Sequence, residues 1–88
     1  MKWQKTHDPH RERRSSKRWQ YLRAAVLLEQ RGMCALCSRL AVEVHHKELA
    51  TEENFFDRSN LVGLCTNCHK RVHAAYLQGF TWRDICQE

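Results

Sequence analysis

Trp19, Leu22 and Val26 stand at i, i+3 and i+7, one apolar stripe in an otherwise polar stretch. That spacing predicts a helix from Ser15 or Ser16, both good N-cap types, to Arg31, with Gly32 as its stop. Farther on the period shortens. Ala41 to His46 reads as a short strand, and Leu61, Val62 and Leu64 as a second. Between them Glu48 to Arg58 is polar apart from Leu49, Ala50, Phe55 and Phe56, and is expected to connect the strands as a loop. Asn67 to Leu77 reads as a helix stopped by Gly79, and Thr81 followed by Asp84 is a capping signal for a short last helix. Met1 to Arg14 holds no sustained apolar period and carries the only proline, Pro9, so residues 1–14 are expected to form a flexible basic arm. Residues 15–88 are expected to form a single domain.

Such a domain is small. The whole chain has 88 residues, 42% of them hydrophobic, so the core needs a staple such as a metal, disulfides or a partner subunit. The longest apolar run, Ala24 to Leu28, is far too short to span a membrane, and no apolar segment follows the start as in a secretory signal. Charge is lopsided: the formal net charge of +5 divides into +6 over residues 1–31 and −1 over the rest. A basic arm before a near-neutral body suits a polyanion, although a solvated tail has the same composition.

The cysteines supply the staple. Cys34 and Cys37 form one C-x2-C pair and Cys65 and Cys68 another, with residues 38–64 between. Four thiolates so spaced can close a tetrahedral zinc shell, and the binding free energy becomes folding free energy. The gap exceeds that of compact zinc modules, so something is inserted between the knuckles. Disulfides fit poorly with an odd count of five, and a redox pair lacks its βαβ surroundings. Cys86 is left over and is expected to pack as a small hydrophobe.

Four histidines fall within or just after this braced section. His45 and His46 are neighbours in a strand, point to opposite faces and are suited to different tasks. His69 and His73 are at i and i+4 of a helix, so their imidazoles share a face and can meet one ion, or can be simple surface residues. His7 and His10 form an H-x2-H in the arm and are read as incidental.

Cys34-Ala35-Leu36-Cys37, Val44-His45-His46-Lys47 and Asn60-Leu61-Val62-Gly63-Leu64-Cys65-Thr66-Asn67-Cys68-His69, in this order, resemble the HNH endonucleases with two zinc knuckles. The resemblance spans about residues 34–73. It implies an α+β fold, a small zinc-stabilised ββα-metal domain with a preceding N-terminal helix and a short C-terminal helix. It also implies hydrolysis of DNA phosphodiester bonds, leaving a 5′-phosphate and a 3′-hydroxyl. By position, His46 matches the general base that activates water, and Asn60 the residue that holds the base-bearing loop. His45 and His69 match ligands of one divalent ion that stabilises the leaving 3′-oxygen, and His73 the further ligand of the colicin-type branch. Many relatives with two knuckles carry Asp where this chain has His45. A site of imidazoles is softer than Mg2+ prefers, so Mn2+, Ni2+ or Co2+ is expected to serve at lower concentration than Mg2+, with Zn2+ also a candidate.

Around these residues, Lys47, Lys70 and Arg71, and at the end of the arm Arg14 with Lys17 and Arg18 on the first helix, are candidates for DNA backbone contact, which positions DNA without reading its sequence. One site per chain implies nicking with low sequence specificity. Small proteins of this type are similar to phage and prophage products, which implies a cytoplasmic setting in a bacterium or infected cell. Competing readings are a non-catalytic zinc module binding nucleic acid, an accessory subunit of a larger phage packaging or DNA-processing protein, and a zinc-bridged adaptor.

Overall fold

A computed structural model describes residues 10–86; residues 1–9 and 87–88, and with them His7 and most of the expected arm, lie outside it. The chain runs α1 (Arg11–Arg14), α2 (Lys17–Glu29), β1 (Glu43–His46), a 3-10 turn (Arg58–Asn60), β2 (Leu61–Leu64), α3 (Thr66–Leu77) and α4 (Trp82–Ile85). This is the α+β arrangement implied above, with two antiparallel strands and a helix following the second.

The helix starts follow local chemistry. Ser16 is the N-cap of α2, its hydroxyl accepting from the Trp19 amide at 3.1 Å. Cys65 caps α3 with its sulfur, 3.4 Å from the Cys68 amide, so a knuckle residue also begins the helix. Thr81 and Asp84 close a full capping box on α4.

The hairpin is the middle layer. Its register pairs Glu43 with Leu64, Val44 with Gly63, His45 with Val62 and His46 with Leu61. All four β2 residues are buried because both faces are covered. Toward α2, Leu61 joins Trp19, Val26 and Phe55 in one core, with Leu22 and Val44 packed against it. Toward α3, Val62 and Leu64 join Val72 and the knuckle cysteines in a second, flanked by Tyr76, Trp82 and Ile85. Gly63 lets α2 come close. A Cβ there would lie 2.8 Å from Leu27 and 3.1 Å from the Gln30 amide nitrogen. The Gln30 side chain instead pairs with the Gly63 backbone, accepting from its N–H at 2.8 Å and donating to its carbonyl at 3.0 Å.

Two stretches differ from expectation. The first strand begins at Glu43, because Ala41 N–H turns back to the Gly32 carbonyl at 2.8 Å. Residues 10–14 form a helical turn docked on the loop after β1. His10 stacks on Phe55 with ring centres 4.9 Å apart and bonds the Ala50 carbonyl at 3.2 Å, while Arg13 meets Glu52 at 3.5 Å.

Candidate active site

The thiols come together first. The Cys34, Cys37, Cys65 and Cys68 sulfurs lie within 4.8 Å of one another, and Cys37 and Cys65 are 3.5 Å apart. Zn–S bonds of about 2.3 Å in a tetrahedron put sulfurs about 3.8 Å apart, so the four fit a zinc ion. Their ionisation agrees. Burial pushes the Cys34 thiol up, but backbone bonds around Cys65, Leu36 and Cys37 outweigh it and draw it to about 6. Burial and the neighbouring thiols push Cys68 up to about 12. A divalent cation among the four sulfurs would hold them as thiolates.

The histidines lie farther along the same elements. His45 and His46 leave β1 toward opposite layers, as alternation requires. His45 is buried against α3, its ring 5.3 Å from that of His69, 5.3 Å from Tyr76 and 5.8 Å from Trp82. Burial first, then the charges of His69, His46 and His73, hold it down at about 4, so it is a neutral imidazole with a lone pair to offer. His69 turns Nδ1 to the carboxylate of Glu43, two residues before His45 on the same strand face. A carboxylate on one ring nitrogen leaves Nε2 for an ion. His73 is exposed one turn on, within the electrostatic reach of His45. Among the described residues only the cysteines converge within 4.8 Å; the imidazoles are adjacent but less tightly drawn in. The donor set, imidazoles with a carboxylate behind that of His69, suits a borderline divalent ion.

His46 faces the other layer, stacked on Trp19 at 5.4 Å and against Phe55 at 4.7 Å. Its Nε2 is 3.0 Å from the Phe55 carbonyl, which can only accept; Nε2 therefore carries the proton and Nδ1 the lone pair. Burial lowers its pKa below 6.5, opposed by the Phe55 bond and aided by His10 and Arg14. Asn60, also buried, grips the segment just after His46. Its Oδ1 accepts from the Glu48 amide at 2.9 Å and its Nδ2 donates to the Glu48 carbonyl at 3.2 Å. The Asn60 carbonyl accepts from the Lys47 amide at 2.8 Å.

The basic residues divide. Lys47 donates to the Ser59 carbonyl at 3.0 Å, on the rim of a cavity of about 920 Å³ also bordered by Asn60, Tyr76, Phe80, Trp82 and Arg83. Lys70 and Arg71 point to the thiol side, where they line a depression with Arg39, Cys37 and Cys68, away from His45. Arg14 and Lys17 are exposed, and Arg18 covers the Phe56 ring at 4.0 Å. Sequence reading missed Glu43, Tyr76 and His10. Glu43 had a signal in its i−2 spacing from His45, whereas Tyr76 and His10 are brought in by packing.

A hairpin and a helix braced by four clustered cysteines, with histidines between them, form the ββα arrangement of the HNH-like class. The HNH endonuclease family profile matches residues 34–75. Among solved structures, the HNH endonuclease of deep-sea thermophilic bacteriophage GVE2, crystallised with a manganese ion, is 30% identical with a TM-score of 0.73. The match covers 80% of this chain and 84% of that one. No curated protein sequence matches. The chain belongs to the HNH endonuclease family.

Proposed function

We propose that this protein is a metal-dependent endonuclease that hydrolyses DNA phosphodiester bonds, one strand per event, with low sequence specificity. His46 is the general base, taking a proton from the attacking water at Nδ1. The Phe55 carbonyl keeps Nε2 occupied by its own proton, and the lowered pKa keeps the ring ready to accept near neutral pH. Asn60 fixes the residues that follow the base, which limits the drift of the ring. His45, His69 and His73 would hold one divalent ion. Bound there, the ion would supply relief of negative charge at the phosphate and the leaving 3′-oxygen.

The donor set favours Mn2+, Ni2+ or Co2+ over Mg2+, and the manganese found with the phage GVE2 enzyme accords with that. Cys34, Cys37, Cys65 and Cys68 would hold the structural zinc. Arg14, Lys17, Arg18 and Lys47 supply backbone contacts near the base, and Lys70 and Arg71 extend the basic surface on the knuckle side. Work beside a larger phage DNA-processing protein, in the cytoplasm, is consistent with the phage relative. Among the described residues no helix is long and apolar enough to cross a membrane.

The observation that carries this proposal is the hydrogen bond from His46 Nε2 to the Phe55 carbonyl, which leaves a basic nitrogen on a strand end whose other histidine meets His69. Supercoiled plasmid incubated with the zinc-loaded protein and Mn2+ is expected to become open circles. His46→Ala is expected to slow this by at least about 100-fold with zinc content and DNA affinity retained. Cutting by His46→Ala at the wild-type rate, or no cutting with any divalent ion of the panel, contradicts it.

A further inference from the structure

Tyr76 follows His69 and His73 on α3 at spacings that keep all three on one face. It is half-buried, its ring packed against the core of Val62, Leu64 and Val72, so the hydroxyl has little freedom to roam. That hydroxyl makes two contacts. It donates to the Lys47 carbonyl at 2.5 Å and lies 3.1 Å from Nε2 of His45. A phenol has one proton and a carbonyl can only accept, so the bond to Lys47 uses that proton. The contact with His45 then requires a proton on Nε2, with the phenol oxygen accepting.

We infer that Tyr76 is a positioning residue that holds His45 as its Nε2–H tautomer and so presents Nδ1 as the nitrogen that binds the ion. This rests on His45 being a ligand, as proposed above. An unconstrained neutral imidazole divides its population between two tautomers, and only one offers the required lone pair. Fixing the ring removes that loss, as partners behind metal-binding histidines commonly do. The two rings are set in opposite senses: Glu43 occupies Nδ1 of His69 and leaves Nε2, whereas Tyr76 occupies Nε2 of His45 and leaves Nδ1. The same phenol ties this ring to Lys47, whose amide is held by Asn60 at 2.8 Å, so one chain of hydrogen bonds joins the ion's ligand to the segment after the base.

The test uses long-range proton–nitrogen spectra of the zinc-loaded, 15N-histidine-labelled full chain near neutral pH. Wild-type His45 is expected to give the Nε2–H pattern. Tyr76→Phe, which keeps the ring, is expected to lose that fixed pattern and to bind Mn2+ about 10-fold more weakly at unchanged zinc content. An Nδ1–H pattern in the wild type overturns the inference whether or not the variant folds. So does a Tyr76→Phe protein with the wild-type pattern and Mn2+ affinity. Mn2+ added to the wild type must also broaden the His45 resonances; if it does not, His45 is no ligand, and the inference falls with that assignment rather than on the tautomer.

Discussion

At the residue scale, the candidate site consists of a few side chains whose hydrogen bonds fix how each one is held. Asn60 is the clearest case, because its amide, itself buried, satisfies both backbone groups of Glu48 at the edge of the core. Asn60→Ala leaves those groups without partners and is expected to cost about 1–3 kcal/mol in urea unfolding, with a fall in cutting rate. Asn60→Asp keeps the bond from the Glu48 amide but sets a carboxylate oxygen against the Glu48 carbonyl, so it should lose at least as much. His45 gives a pH signature. Burial, reinforced by three neighbouring histidines, holds its folded pKa near 4, against 6.5 when unfolded. Its contribution to stability is therefore complete above about pH 6.5 and is lost as pH falls through about 4, because only the unfolded chain takes up the proton in between. Unfolding midpoints of wild type and His45→Gln, followed from about pH 7 down to about 5, should show the wild type losing more. Equal slopes would remove the burial argument. The opposite facing of His45 and His46 was legible from strand alternation alone. Glu43 and Tyr76 were not, since their partners depend on how helix and hairpin are rotated against each other.

At the scale of elements, local signals served well wherever they were chemical rather than periodic. The Ser16 cap, the Thr81–Asp84 box and the Gly79 stop, with its φ of +97°, all stand where the residue types indicate. Ser16→Ala is expected to lower stability by about 1 kcal/mol, read from thermal melts. Gly63 carries more weight than its lack of a side chain suggests. Leu27 lies 2.8 Å from any Cβ placed there, so Gly63→Val should cost about 1–3 kcal/mol and loosen α2 from the hairpin. Retention of wild-type stability by that variant would mean that the Leu27 and Gln30 side chains swing aside at no cost. The turn at residues 10–14 escaped sequence reading because it has no apolar period; His10 is held by stacking on Phe55 and by the Ala50 carbonyl, contacts that only tertiary structure creates.

At the scale of the whole molecule, two thin cores lie on either side of a two-stranded hairpin, and the thiols close one of them. A chain this short depends on that closure. Cys65→Ser removes one of the four clustered thiols while its hydroxyl can still cap α3, and is expected to abolish zinc retention and cooperative unfolding. Mild chelation should act in two stages, stopping cleavage before it unfolds the protein, because imidazoles release an ion more readily than four thiolates do. The lopsided charge predicts binding to DNA that weakens steeply with salt, and cutting indifferent to salt would contradict backbone contact. The family was legible because its cysteines, histidines and asparagine are fixed in order and spacing. The division of Lys70 and Arg71 toward the knuckles was not, since it follows from the rotation of α3.

The most direct measurement titrates zinc-loaded protein with Mn2+ and counts both metals by spectroscopy in wild type, His45→Ala and His69→Ala. The expected result is one retained zinc in all three, and one exchangeable Mn2+ that is lost with either histidine. Mn2+ binding that ignores both substitutions, or that is displaced only together with zinc, would contradict a separate ion held between hairpin and helix.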